Sequence, residues 1–551
     1  MDPINSNASI DNSLSPTPGQ PQQEEVPTGF SAGKEVTVYE KSQSSFLNLP
    51  ELTQRIIIRY LGFREITHLK KVCKYLRDLV ENDKAQERAW YRQFPSPYQY
   101  QPKTIVRTKD EQQLRNWLKP FVDRDTVESL LKQQKSIYFP AQLLFINSKL
   151  ISQCEKFELV EKLEIIHYGE VRMLNFSPDD RHLATASNDR TAKIYAQQDN
   201  GSWEPVATIF HRDKVLAAKF SPDGRHLVTM SYNNIAVICC LADDGSWEEK
   251  TIIPHFGFGN AINFSPDGQH LITMSDCDTA KIYGLNGDGQ WEIKNTISHD
   301  WMIFSATFSA DGYNLVTFDG ASVKISSQMD DGSWVVKDSV YDGKITSAKL
   351  SSDGHHLVIS DVDEVVKIYG KGSAGSWVKK GTLRHKRLVN FADFSTDSCH
   401  LVTVGLDRTV KICHLQDDGS WKEITKICHD DRVFSANFSA DCRHVVTASK
   451  DNTAKIYSLQ DDGSWKERAC ITHRGAVNSA NFSADDLHVV TASEDNTAKI
   501  IGLQAGGFWL EKVIVQHDCA VTSAIFSADS RHVVTVTEDC IARITELRKK
   551  D

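Results

Sequence analysis

From residue 159 to the C-terminus the chain repeats one pattern of apolar and polar positions. In His429–Thr472 the runs VFSANFS and HVVTAS come first, then TAKIYSL and finally WKERACI. Short β-rich runs of this kind, with turn signals about every ten residues, predict antiparallel strands and not helix. Asp-Gly pairs at Asp223-Gly224, Asp244-Gly245, Asp418-Gly419 and Asp462-Gly463 supply the positive φ that tight hairpins need. A lone four-stranded sheet exposes both faces, so the units must stack face to face around a ring.

The repeat keeps its register. Marker histidines stand at His167, His211, His255, His299, His385, His429, His473 and His517, most of them 44 residues apart, with Tyr341 at the one missing position. Nine residues after each marker comes Phe-Ser-x-Asp, at Phe176, Phe220, Phe264, Phe308, Phe394, Phe438, Phe482 and Phe526, or Leu-Ser-Ser-Asp at Leu350. That makes nine units, and a period of roughly 40–45 residues predicts propeller blades. The last unit stops after its third strand, CIARITEL, whereas FELVEKLEII before His167 has the alternation of a fourth strand. Pairing the two leaves no free edge and favours one closed ring, with Leu159 where other units place Trp. Two smaller rings would need a break, and only the region around Tyr341 is irregular enough.

These units resemble the WD-repeat family. The resemblance implies a hydrogen-bonded set in each blade, drawn from an opening His, a Ser/Thr on the second strand, an Asp in the next turn and a Trp on the third strand. His429, Ser449, Asp451 and Tyr457 fall at those places, and His167, His385, His473 and His517 each have an Asp 22 residues on. Tyr195, Cys239, Ser326, Ile501 and Thr545 replace the Trp, and Asn233 and Cys277 replace the Asp of units two and three. Unit four is a residue short near Asp319, so the middle blades are expected to be less well tied. Each His lies in its own blade, so three cannot converge on a metal ion, and a repeated structural bond is the reading.

The N-terminal third has another pattern. Residues 1–45 are rich in Ser, Pro, Gln, Asn and Gly without an apolar run, which predicts disorder. In residues 46–94, Leu52, Ile56, Ile57, Tyr60 and Leu61 make one helical apolar face, and Leu69, Val72, Cys73, Leu76 and Leu79 another. Leu49-Pro50-Glu51-Leu52, then Ile57, Ile58 and Leu61, then Val72-Cys73-Lys74-Tyr75-Leu76-Arg77 and Trp90, together resemble an F-box. That resemblance implies docking on the Skp-type adaptor of a cullin ubiquitin ligase, with Leu49, Pro50, Ile57, Leu61, Val72 and Leu76 facing the adaptor. The alternative is a helical cap whose apolar residues serve its own core. Residues 95–156 follow as a mainly helical connector, bounded within by Pro120 and Pro140.

The expected architecture is therefore α+β and multidomain: a helical F-box-like domain and connector, then an all-β propeller over residues 157–551. Composition narrows the chemistry. A net charge of −10 argues against nucleic acid as the main partner, and nowhere do 18 consecutive apolar residues suggest a membrane span. The 12 cysteines show no Cys-x-x-Cys pair or zinc spacing, as in a reducing, cytosol-like compartment, with the nucleus or a host cell's cytosol as variants. The chain has no phosphate-binding loop, nucleophile elbow, zinc-protease or kinase signature, so neither catalysis nor a cofactor is expected. Binding remains. The opening loops of units six to eight offer Arg384, Lys386, Arg387, Arg432 and Arg474, with Arg408 in a nearby turn. Units three and four offer Phe256, Phe258, Trp301 and Met302. This combination suits an acidic or phosphorylated target segment with an apolar anchor. Against it stands a solvated rim in which the basic residues only balance Asp430, Asp431 and Asp518. Two functions follow: a ligase substrate receptor, or an interaction scaffold with no ubiquitin link.

Overall fold

The computed structural model describes residues 157–549 apart from 234, 255–261, 275–277, 331, 342, 373–375 and 505–506. It also describes scattered helical residues between 58 and 146. The expectations for residues 1–45 lie outside the described residues, as do most of those for 46–94.

Thirty-six described strands, from β1 (Phe157–Ile166) to β36 (Ile541–Lys549), pair antiparallel into nine four-stranded sheets. Eight sheets take four consecutive strands, as in β26 (Val433–Phe438), β27 (His444–Ser449), β28 (Thr453–Leu459) and β29 (Trp465–Thr472). The ninth has the order β1-β36-β35-β34, where β34 is Val521–Phe526 and β35 is His532–Thr537. The N-terminal strand thus completes the C-terminal blade, and all nine described blades have four strands. There is no break near Tyr341, because β14 (Ser305–Phe308) contacts β18 (Ile345–Leu350), which in turn contacts β22 (Val389–Phe394). The result is one nine-bladed propeller.

The hairpin chemistry is as the Asp-Gly pairs require: Gly224, Gly245, Gly419 and Gly463 all have positive φ, between 72° and 85°. The cores lie between blades. Ala184, Ala186 and Ile194 of the first pack with Val215, Ala218 and Leu227 of the second, and the same layering recurs around the ring. Second strands such as β27 are therefore buried almost throughout, whereas fourth strands such as β29 show one face to solvent.

A seam contact that spans two blades fixes their stacking. Trp465 stands edge-on to His400 of the preceding blade, with ring centroids 5.7 Å apart, and against Phe438 of its own blade at 6.1 Å. Trp247 with His182 and Phe220, and Trp509 with His444 and Phe482, repeat the trio. Such pairs add about 0.5–1.5 kcal/mol to simple burial. In the closing blade Leu159 pairs with Leu547 as Trp465 pairs with Leu459, so it does hold the tryptophan register. The aromatic contact itself has moved two residues, to Phe157, 5.6 Å from His488.

Two whole helices are described before the ring, α1 (Lys74–Asn82) and α2 (Glu111–Leu118). Leu76 and Val80, one turn apart, are buried on α1, and Leu114 and Trp117 are buried on α2.

Candidate functional site: the two faces of the ring

Each blade presents its opening loop and second turn to one face of the ring, and its Phe-Ser-x-Asp and Asp-Gly turns to the other. What holds the opening face is the histidine tie. His429 Nδ1 lies 2.8 Å from Asp451 Oδ2 and its Nε2 lies 2.8 Å from Thr447 Oγ1. The neutral ring satisfies both by donating from Nδ1 to the carboxylate and accepting the threonine O–H at Nε2. His167, His385 and His473 repeat the geometry with Asp189, Asp407 and Asp495, and with Thr185, Thr403 and Thr491.

Two members of the expected set are different. Ser449 does not touch the imidazole: its hydroxyl donates to Arg432 O at 3.0 Å and accepts the Asp451 N–H at 3.1 Å, while Thr447, two residues earlier on the same strand face, takes the ring. Tyr457 stands outside the tie, donating to Glu467 Oε2 at 2.9 Å.

The blades that depart from the pattern divide. With Asn233 in place of an acid, His211 keeps Thr229, at 2.9 Å, as its one side-chain partner among the described residues. His255 and Cys277 lie outside the described residues. Blade four, expected to be loosened, is tied only in part: His299 Nε2 lies 2.7 Å from Thr317 Oγ1, whereas Asp319 Oδ2, 3.2 Å from His299 Nδ1, makes no hydrogen bond and Asp319 Oδ1 accepts from the Ala321 and Ser322 N–H groups. Its short turn is possible because Gly320 has φ 85° and a β-carbon there would stand 2.9 Å from the Phe304 ring. In blade five Tyr341 is 70% exposed, and Asp361, which ends the second strand where blade seven has Ser449, pairs with Lys367 at 3.1 Å. The expected pairing of His517 with Asp539 does not form: Asp539 accepts from Thr537 Oγ1, and His517 Nε2 is buried without a partner.

These ties make stability pH-dependent. Burial holds His211 and His517 down at about 4 and lowers His167, His385, His429 and His473 as well. Burial alone would raise Asp451, but hydrogen bonds from Thr453, the Asp430 N–H and His429 overcome it and hold the acid at about 2. Unfolded histidines bind protons below about 6.5 and unfolded aspartates below about 3.9, before the folded ones do. The contribution of these ties should therefore be flat above pH 7, fall as pH drops from 6.5 to 4, and fall further towards 2. Scanning calorimetry across pH 8 to 4 tests this, and a melting temperature unchanged between 6.5 and 4 would contradict it.

The opening face carries the residues singled out for target binding. Arg384 ends β21 (Trp377–Arg384), and Lys386 and Arg387 follow in the loop, all three exposed. The Lys386 N–H donates to Asp407 at 2.8 Å and the Arg474 N–H to Asp495 at 2.8 Å, so the tie itself sets the loops that present these side chains. Arg408, at φ 66°, reaches the next blade's opening loop and donates to Asp430 O at 2.8 Å. Among the described residues no carboxylate lies within 4.0 Å of the Arg384, Lys386, Arg387, Arg432 or Arg474 side chains. Further round, Trp301 is 67% exposed, and Phe304, stacked on Phe318 at 6.1 Å, is partly exposed. Phe256 and Phe258 lie outside the described residues.

The opposite face carries the connector. Trp117 of α2 donates through Nε1 to Asp529 Oδ2 at 3.0 Å, and the Arg531 guanidinium lies 4.0 Å above its ring. Gln113 donates to Asp199 Oδ1 at 2.9 Å. Nothing in the sequence reading had given α2 a partner. The innermost strands and turns of blades one to six also enclose a cavity of about 860 Å³ on this face, lined in part by Lys219, Asn263 and Asp353. Of the residues expected to meet an adaptor, Leu49, Pro50, Ile57, Leu61 and Val72 lie outside the described residues, and Leu76 is 3% exposed.

Fold and ties together define a WD-repeat propeller. The WD domain, G-beta repeat, matches residues 161–196, 203–247, 377–414, 421–458, 465–501 and 509–545. The F-box domain matches residues 46–85, and the chain is an F-box and WD-repeat protein. No curated protein matches the sequence. Among solved structures, Sqt1 of Saccharomyces cerevisiae is similar at 12% identity and a TM-score of 0.49, over 70% of this chain and 98% of that one. The C-terminal WD40 domain of Sif2 is similar at 14% and 0.48, over 70% and 98%. Sqt1 from Chaetomium thermophilum is similar at 15% and 0.49, over 61% and 97%.

Proposed function

We propose that the protein is a non-catalytic substrate receptor of a cullin-type ubiquitin ligase. Leu49, Pro50, Ile57, Leu61 and Val72 would meet the Skp-type adaptor, and the target would lie on the opening face across Arg384, Lys386, Arg387, Arg408, Arg432 and Arg474. Phe256 and Trp301 would supply the apolar anchor, and an acidic or phosphorylated segment matches cations without nearby carboxylates. The observation that carries the reading is the joining of an F-box to a propeller whose connector helix docks on the face away from those cations. A receptor needs that division, with one end for the ligase and the other for cargo. It would act in the cytosol or nucleus of a eukaryotic cell, whether its own or a host's.

One observation favours the second reading, a scaffold with no ubiquitin link: Leu76 is turned into the chain's own interior. Binding to a purified Skp-type adaptor separates the two. Full-length protein should bind it, and a Leu49→Ala/Pro50→Ala variant of unchanged melting temperature should lose at least tenfold in affinity. Failure of the folded wild type to bind would leave the scaffold. Target binding that survives Arg387→Glu/Arg432→Glu/Arg474→Glu would remove the basic arc from the proposal.

A further inference from the structure

Two side chains in the cavity of about 860 Å³ are less satisfied than their counterparts in other blades. Both stand just before the Phe of a Phe-Ser-x-Asp turn, in one register of the innermost strands. In that register Asn263, Asn437 and Asn481 each donate through Nδ2 to a carbonyl of the next blade. The acceptors are Ala306 O at 2.8 Å, Ala480 O at 2.9 Å and Ala524 O at 2.9 Å. Asn175 holds the same place in the first blade, yet its amide makes no hydrogen bond among the described residues.

The lysines of this register differ in the same way. Lys349 pairs with Asp393 of the next blade at 2.6 Å. Lys219 meets Asn263 there instead, donating to its Oδ1 at 2.6 Å, and has no carboxylate within 4.0 Å among the described residues. Burial lowers its pKa, and no acid stands near enough to oppose that. The acids that line the cavity, Asp311, Asp353 and Asp397, belong to blades four to six. Each is held in its own turn by a Ser hydroxyl and a backbone N–H. Beside Asn175, Lys219 and Asn263 the lining is apolar, from Phe176, Phe220 and Phe264.

We infer that this cavity binds a small ligand with a single carboxylate on an apolar body, the carboxylate held by Lys219 and Asn175. The ammonium has two N–H groups left to give, and the Asn175 amide has two more. A carboxylate that takes them gains charge-assisted bonds and supplies the counter-charge that Lys219 lacks. A multiply charged anion fits worse, because its further charge would be repelled by the three acids. The cavity is large enough for such a ligand. The inference does not depend on the ligase reading.

Titration of 3-phenylpropionate and of N-acetyl-leucyl-phenylalanine into the full-length protein, followed by ligand-observed NMR, tests it, with the amide of each acid as the uncharged control. At least one acid should bind with a dissociation constant of about 1 mM or below, and its amide at least tenfold more weakly. Tighter binding of the dipeptide would identify a chain terminus, tighter binding of 3-phenylpropionate a free acid, and equal binding the carboxylate alone. Lys219→Met should weaken binding at least tenfold with a melting temperature no lower than that of the wild type. Asn263→Asp, which copies the Lys349–Asp393 pair, should give Lys219 its counter-charge and lose the binding likewise. The inference is overturned if neither acid binds at about 5 mM, if the amides bind as well as the acids, if either variant binds as the wild type does, or if Lys219→Met lowers stability and leaves binding intact.

Discussion

Deleting residues 157–166 should turn a protein that melts in one sharp transition into a species that associates further and melts low and broadly. β1 pairs with β36 along nearly its whole length, from Phe157–Lys549 to Ile166–Ile541, and its removal exposes a long strand edge ready to pair with another chain. It also uncovers Leu547 and empties the place of Ile165, which packs with Val534, Val536 and Ile544 of the last blade and with Leu183 and Trp203 of the first. The point version is Ile165→Ala. A buried aliphatic side chain cut to its β-carbon costs about 2–5 kcal/mol, and here the cavity opens in the seam that holds the ring shut. Size-exclusion chromatography and denaturant unfolding read both variants. A deletion protein with the elution volume and midpoint of the intact protein would mean that the ring does not depend on this strand.

The second large effect is expected at His429. Replacing it with Ala takes the imidazole from Asp451, whose side chain is 7% exposed and keeps its bonds from Thr453 and the Asp430 N–H, and from the Thr447 hydroxyl. Losing one charge-assisted bond to a buried acid and the bond of a buried hydroxyl should cost about 2–4 kcal/mol. His211→Ala strands only Thr229 and should cost about half as much, because no acid waits there. The comparison by chemical denaturation tests the tie directly. Equal losses at the two sites would show that the imidazoles contribute by packing and that the Asp adds nothing.

These positions also show where sequence reasoning reaches and where it stops. Period and turn chemistry identify the ring and its closure, because they depend on spacing alone and the register survives from His167 to His517. The choice of hydroxyl does not follow from spacing. Thr447 and Ser449 stand on the same face of one strand, and only the approach of the imidazole from the neighbouring loop decides between them. The seam trio escaped for a related reason. His400 and Trp465 lie in different repeats, so reading each unit by itself cannot pair them. In blade nine the acid comes at the usual spacing, yet Thr537 captures it; in blade four a missing residue is absorbed by Gly320. Local hydrogen-bond competition thus reverses what spacing suggested in blade nine, and one left-handed residue keeps the Thr317 half of the tie in blade four. On the opening face, spacing alone puts the basic loops along one arc of the ring, but it could not foresee that α2 would take the opposite face, since that contact joins Trp117 to residues more than 400 positions away.

The shared ninth sheet also has a meaning in time. Ile166 leaves the ribosome 375 residues before Ile541 does. At ordinary elongation rates of about 5–20 residues per second, β1 waits roughly 20–75 s for its partner. Meanwhile eight sheets can form from neighbours in sequence, each by local hairpins. Translation therefore yields a growing open arc whose first strand is kept single until the last sheet arrives, and a holding chaperone or a pause late in the message would act on that one strand.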